Sequence, residues 1–170
     1  MKVIIVGGVA GGASAAARLR RLDEHAEIIL LERGAYVSYA NCGLPYYIGG
    51  VIAEKSALTV QTTGSLRERL KLDVRTRHEA VAVYPDKKLV EIRDLDSAAT
   101  YTESYDKLIL SPGAEAVRPA FPGADDARVF TLRTIPDTYR IADYIKKHAP
   151  KRALVVGAGF IGLEMDENLV

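Results

Sequence analysis

The 170-residue chain has a single cysteine, Cys42, so it can build no internal disulfide framework and no multi-cysteine zinc or iron–sulfur site. It also lacks a charge excess. Its 23 basic and 22 acidic side chains leave a formal charge of +1, which gives no global electrostatic reason to expect nucleic acid or a membrane surface as partner. Long apolar runs are missing too: none approaches the roughly 20 residues of a membrane-spanning helix. Met1 and Lys2 lead straight into Val3, Ile4, Ile5, Val6 and Gly7, a strand followed by glycine, with no room for a signal peptide. What is present is 48% hydrophobic and 26% charged residues, the composition of a globular α/β chain with one sizeable core, expected in the cytoplasm.

Residues 2–6 are apolar and β-branched, the pattern of a buried parallel strand. Glycines punctuate it, and strong helix formers fill 13–22. The apolar run 26–31 then completes a βαβ unit ending at Glu32. Residues 36–50 read as a loop and short helix, and 66–72 as a helix. Strands are expected at 74–76, 80–84 and 89–93, with Pro85, Asp86 and Lys87 turning a hairpin. Another buried strand is expected at 105–110, stopped by Ser111, Pro112 and Gly113. Residues 135–148 read as a helix with Pro136 in its first turn. The last segment repeats the first: an apolar strand at 151–157 runs into a second glycine turn and a helix. The expected fold is therefore a Rossmann-like α/β fold with a parallel sheet and a small antiparallel meander over 1–149. The truncated start of a second Rossmann-like unit is expected over 150–170.

Glycine turns of this kind bring backbone amides to a pyrophosphate at a helix N-terminus. In the first turn, Gly7, Gly8, Val9, Ala10, Gly11 and Gly12, a valine stands at the second glycine position. Glu32 lies 25 residues after Gly7, where a carboxylate can accept the hydroxyls of a ribose. The second turn keeps all three glycines, Gly157, Gly159 and Gly162, but no acid-bearing strand follows it. Cys42 sits among the turn residues Asn41, Gly43 and Pro45. A lone thiol is usually a small core hydrophobe; at a loop-to-helix junction it is equally a candidate redox nucleophile. His25, His78 and His148 are scattered, each read as a surface or packing residue, which disfavours a hydrolase. Ser14, Arg18 and Arg21 form one stripe along the first helix. That stripe is either a solvated face or a cationic groove for a phosphorylated ligand, and Arg20 falls off it.

The segment Val37–Gly50, with Asn41, Cys42, Gly43, Leu44 and Pro45 at its centre, resembles the active-site loop of coenzyme A disulfide reductases. These are flavin- and nicotinamide-dependent disulfide reductases. The valine-bearing first glycine turn, the run from Glu103 to Ala114 and the second glycine turn are similar to the same family. The resemblance implies an FAD enzyme with one catalytic cysteine, Cys42. NADH or NADPH would supply electrons through FAD to a mixed disulfide between Cys42 and coenzyme A. It also implies FAD contacts at Gly7, Gly8, Val9, Ala10, Gly11, Gly12, Glu32, Arg33, Asn41, Ala80, Ser111, Pro112, Gly113 and Ala114. Coenzyme A contacts are implied at Ser14, Arg18, Arg21, Ser38 and Asn41, and nicotinamide nucleotide contacts at Gly157, Gly159 and Gly162. No metal is implied. The partners implied are small molecules and, in a longer parent protein, a second copy as a homodimer.

Two other readings stand beside this one: an NADH oxidase cycling Cys42 through a sulfenic acid, and a non-catalytic nucleotide-binding unit. The resemblance further suggests that this stretch is a fragment whose turnover needs the rest of a larger protein. Asp166 is unusual in a helix expected to pack on a sheet. Without a sheet to join, the tail is expected to dock on another chain or to be marginally ordered. Phe160, Ile161, Leu163, Met165 and Leu169 would then be exposed on a helix of barely three turns.

Overall fold

The structure, a computed structural model, describes residues 1–170. In chain order its elements begin with β1 (Lys2–Val6), α1 (Gly11–Leu22), β2 (Glu27–Glu32), α2 (Leu44–Ile48) and α3 (Thr63–Leu70). Five strands follow: β3 (Asp73–Thr76), β4 (His78–Tyr84), β5 (Leu89–Asp94), β6 (Thr100–Ser104) and β7 (Lys107–Leu110). The last helices are α4 (Ile135–His148) and α5 (Phe160–Asn168). The chain divides into two units: Met1–Tyr39 with Thr59–Gly113, and Ala40–Leu58 with Ala114–Val170. No helix is long and apolar enough to cross a membrane.

In the first unit a parallel sheet runs β3-β2-β1-β7, and a three-stranded antiparallel sheet runs β4-β5-β6. Strand side chains alternate faces, so the continuous apolar runs of β1 and β2 bury both. Val3, Ile5, Ile28 and Leu30 pack with Ala16 of α1 and Leu66 of α3. Ile4, Ile29 and Leu31 face the other way and pack with Val90 and Ile92 of the antiparallel sheet. The hairpin between β4 and β5 turns at Pro85–Lys87, as expected, and Lys88 closes it at a φ of 48°.

Strand β6 is not anticipated from the sequence. It is polar and half exposed, and β5 supplies its pairing. Its buried-side residue Glu103 accepts from Lys2 Nζ at 2.6 Å and from Arg75 at 2.7 Å. Arg75 also donates to Asp73 and to the Tyr101 hydroxyl, so this cluster ties both sheets together. Helix α3 starts earlier than expected, because Thr62 caps it by accepting from the Ser65 amide, and it stops where Lys71 turns left-handed.

In the second unit α2 packs against α4 and α5. Tyr47 meets Tyr139 edge-on at 5.6 Å, and the Lys55 ammonium lies 4.3 Å over the Tyr139 ring. Thr134 and Asp137 form a reciprocal cap on α4, with Pro136 in the first turn. One expectation for the tail is corrected here. No strand forms over 151–157: nothing pairs with it, Leu154 and Val156 are 87% and 80% exposed, and an apolar run without a ladder partner has no hydrogen-bonding reason to extend. Helix α5 forms and docks on α2 of its own chain. Its Met165 is buried, while Phe160, Ile161 and Leu163 remain exposed.

Candidate active site

The first glycine turn is crowded chiefly by backbone atoms. Gly7 has a φ of 97°, and a Cβ there would overlap the Ser111 carbonyl oxygen. A Cβ on Gly12 would overlap the Gly7 carbonyl, and one on Gly11 would come within 3.1 Å of Ser111 Oγ. Ser111 in turn donates its amide to the Val6 carbonyl at 2.7 Å, which brings the 111–113 segment beside the turn. Helix α1 then begins with no side-chain cap and no acidic residue in its first turn, so its leading amides have no anionic side chain to satisfy them.

Glu32, at the end of β2, accepts from the Gly8 amide at 2.8 Å and from the Gly34 amide at 2.7 Å. A carboxylate has about four acceptor positions, so each oxygen keeps one for a ribose hydroxyl. Uncapped amides, a cradle that only glycine permits and a fixed acid fit a dinucleotide such as FAD. Other positions implied for FAD have protein partners of their own. Arg33 pairs with Glu79 at 3.7 Å on the surface, and Ala80 packs between the sheets at a bulge in β4. Ala114 belongs to the second unit, where its carbonyl accepts from Arg133 at 3.1 Å.

A groove of about 540 Å³ runs between α1 and α3 in the first unit. Val9, Ala10, Ser14 and Arg21 line one side, and Gln61, Ser65 and Arg69 the other. Ser38 and Tyr39 line it as well. The structure thus brings together Ser14, Arg21 and Ser38 of the expected coenzyme A contacts. Arg18, also on α1, is exposed and stands outside the lining of this groove. Val9 and Ala10 of the glycine turn also line this groove.

Ser38 adopts a φ of 46°, unusual outside glycine. Its amide donates to the Gly8 carbonyl at 2.9 Å, and its carbonyl accepts from Val60 at 2.8 Å, which holds that conformation. The α3 wall was missed from the sequence. Ser65 and Arg69 stand four apart on it, the spacing that marked Ser14 and Arg18 on α1, and that was the available signal.

In the second unit Asn41, Cys42 and Gly43 form a single 3-10 turn leading into α2. A Cβ on Gly43 would lie 3.1 Å from Ile52 and 3.3 Å from Leu58, so the turn is packed from beneath while Cys42 itself is exposed. Asn41 Oδ1 is buried with no hydrogen-bond partner, an acceptor awaiting a donor. The second glycine turn repeats the first at its first and last glycines, though a Cβ on Gly157 would meet nothing within 4 Å. Gly157 has a φ of 111°, and a Cβ on Gly162 would overlap the Gly157 carbonyl. His148 lies against the Tyr144 ring at 4.4 Å, and His78 Nδ1 bonds the Thr76 carbonyl at 2.8 Å.

Parallel sheet, glycine cradle and Glu32 together define a dinucleotide-binding unit. The chain belongs to the pyridine nucleotide-disulphide oxidoreductase family, whose model matches residues 1–169. That membership implies FAD and a nicotinamide nucleotide as cofactors. The chain is similar to the coenzyme A disulfide reductase of Staphylococcus haemolyticus, with 44% identity over 168 residues, 99% of this chain and 38% of that protein. Its fold matches reduced Bacillus anthracis CoADR-RHD with a TM-score of 0.96 and 54% identity, over 99% of this chain and 30% of that one. A water-forming NADH oxidase from Lactobacillus brevis matches with a TM-score of 0.90 and 33% identity, over 99% and 37% of the two chains. The chain therefore spans well under half the length of these relatives.

Proposed function

We propose that this chain is the FAD-binding part of an NADH- or NADPH-dependent reductase of coenzyme A disulfide or persulfide, with Cys42 as the redox nucleophile. The observation that carries the reading is the groove between α1 and α3, with an arginine on each wall and an exposed thiol three residues beyond its Tyr39 in the chain. A groove lined by two guanidiniums suits a ligand with several phosphates, and coenzyme A is such a ligand with a thiol at its far end. In the proposed cycle the Cys42 thiolate attacks one sulfur of coenzyme A disulfide. One coenzyme A leaves as thiolate and Cys42 is left in a mixed disulfide with the other. FAD held by the glycine turn and Glu32 would supply two electrons drawn from the nicotinamide nucleotide, so that the mixed disulfide would be reduced to the Cys42 thiolate and a second coenzyme A, which takes up a proton.

The residues of this chain bind and orient. Gly7, Gly8, Gly11 and Gly12 hold the FAD pyrophosphate, Glu32 its ribose, and Ser111, Pro112 and Gly113 flank it. Ser14, Arg21, Ser38 and Arg69 hold coenzyme A, and Asn41 Oδ1 accepts from a ligand N–H. Residues 150–170 are the beginning of the nicotinamide-binding part, a reading supported by the repeated geometry at Gly157 and Gly162. The whole protein would act as a homodimer on small molecules, in a reducing compartment such as the cytoplasm, where a lone thiol stays available.

The test is turnover. The protein carrying this chain should oxidise NADH or NADPH with coenzyme A disulfide, and Cys42→Ser should abolish it; full activity in the serine variant would refute the reading. The likeness to the Lactobacillus brevis oxidase supports a second reading, reduction of oxygen through a Cys42 sulfenic acid. Oxygen needs no cationic groove, so a rate with oxygen far above that with coenzyme A disulfide would favour that alternative.

A further inference from the structure

Arg20 stands in the last turn of α1, off the face that lines the groove. Its Nε donates to the Leu70 carbonyl at 2.8 Å and its Nη2 to the Lys71 carbonyl at 3.1 Å, both at the C-terminus of α3. Its Nη1 donates to the Asp23 and Glu24 carbonyls at 3.1 and 2.6 Å, just beyond α1. Every acceptor is a main-chain carbonyl at a helix end, where four carbonyls lack an intrahelical partner and the dipole favours a cation. The guanidinium is planar, so a single rigid fork joins the ends of both helices. The rest of the contact on this face is apolar, through Ala16, Leu19, Leu66 and Leu70. Such contact is non-directional and lets helices slide; the fork does not.

The residues beside the fork are the cations of the groove. Arg21 follows Arg20 on α1, and Arg69 precedes Leu70 on α3. We propose that Arg20 is a positioning residue: it fixes the separation of the two walls so that Arg21 and Arg69 reach the phosphates of one ligand together. This deepens the coenzyme A reading of the groove and rests on it. Two like charges on facing walls repel, and the clasp holds their backbones in place against that repulsion before the ligand arrives.

The experiment is calorimetric titration of the 170-residue chain with coenzyme A and with pantetheine, which has the thiol arm without the phosphates. Arg20→Met should weaken coenzyme A about tenfold, what losing one charge-assisted hydrogen bond costs, and leave pantetheine unchanged. With Arg69→Ala already present, Arg20→Met should add no more than about twofold, since it acts through that wall. Arg20→Lys keeps the charge at the helix ends but not the fork. It should melt like the unaltered chain and still bind coenzyme A less well, which decides the matter if Arg20→Met fails to fold. Unchanged coenzyme A affinity in Arg20→Lys, equal losses for both ligands in Arg20→Met, or a full additional loss beside Arg69→Ala would each overturn the proposal. If the unaltered chain binds no coenzyme A, the reading of the groove falls and this proposal with it.

Discussion

Replacing Gly12 by alanine places a methyl group where the first glycine turn has no room. The new Cβ would overlap the Gly7 carbonyl and approach Ile5 Cγ2 to 3.1 Å. A carbonyl of the main chain cannot swing aside as a side chain can, so α1 must lift from β1. That movement unpacks Ala13 and Ala16, which are 7% and 0% exposed. Overpacking costs typically about 1–3 kcal/mol and more when backbone must shift, while alanine in a helix returns about 1 kcal/mol. A net loss of about 3 kcal/mol lowers the melting temperature of a chain this size by roughly 6–12 °C. FAD binding should be lost with it. The matched control is Gly162→Ala, whose Cβ would overlap the Gly157 carbonyl in the same way. Residues 151–158 are unpaired there and can yield, so the loss should stay under about 1 kcal/mol. Circular dichroism melts and flavin absorbance of both variants make the comparison. Gly12→Ala melting with the unaltered protein and retaining FAD would refute the reasoning.

Glu103→Gln should cost about 1–2 kcal/mol at neutral pH, because it leaves Lys2 and Arg75 facing an uncharged amide in a cluster that is about four-fifths buried. Burial pushes the Glu103 carboxyl upward, but hydrogen bonds from Lys2 and Arg75 outweigh it and hold it below its ordinary value. A depressed carboxylate contributes stability above its unfolded value and loses it as pH falls through the folded one, so urea unfolding should show the full deficit at pH 7 and a shrinking one as pH falls below the ordinary carboxylate range. An equal deficit throughout would show that the ion pairs are not its source. Thr134→Ala removes one half of the α4 cap, and should cost about 1 kcal/mol with a fall of roughly 2–4 °C in melting temperature; an unshifted melt would show that Asp137 alone suffices.

The parallel sheet was legible because β1 and β2 are apolar at every interior position, a pattern that only burial on both faces explains. Helix α4 was legible to the residue, since Thr134, Pro136 and Asp137 are local signals at its start. Strand β6 was not, because its pairing with β5 and the partners of Glu103 lie far along the chain. The run at 151–157 misled in the opposite direction: its composition suits a strand, but composition supplies no neighbour. One wall of the groove could be read from α1, where Ser14 and Arg21 share a face. Arg69 lies about 50 residues away from them and becomes a groove residue only after α3 docks. Arg20 looked inert for the same reason, as every α3 carbonyl it binds is equally distant in sequence.

The most direct measurement is the intact mass of the chain after exposure to coenzyme A disulfide or to glutathione disulfide under identical conditions. The proposed reading, with coenzyme A held in the groove and Cys42 as nucleophile, predicts one coenzyme A moiety on that residue, removable by a thiol reductant. It also predicts that labelling slows in Arg21→Ala and Arg69→Ala and is much faster than labelling by glutathione disulfide. Equal labelling by the two disulfides, with no dependence on either arginine, would contradict it.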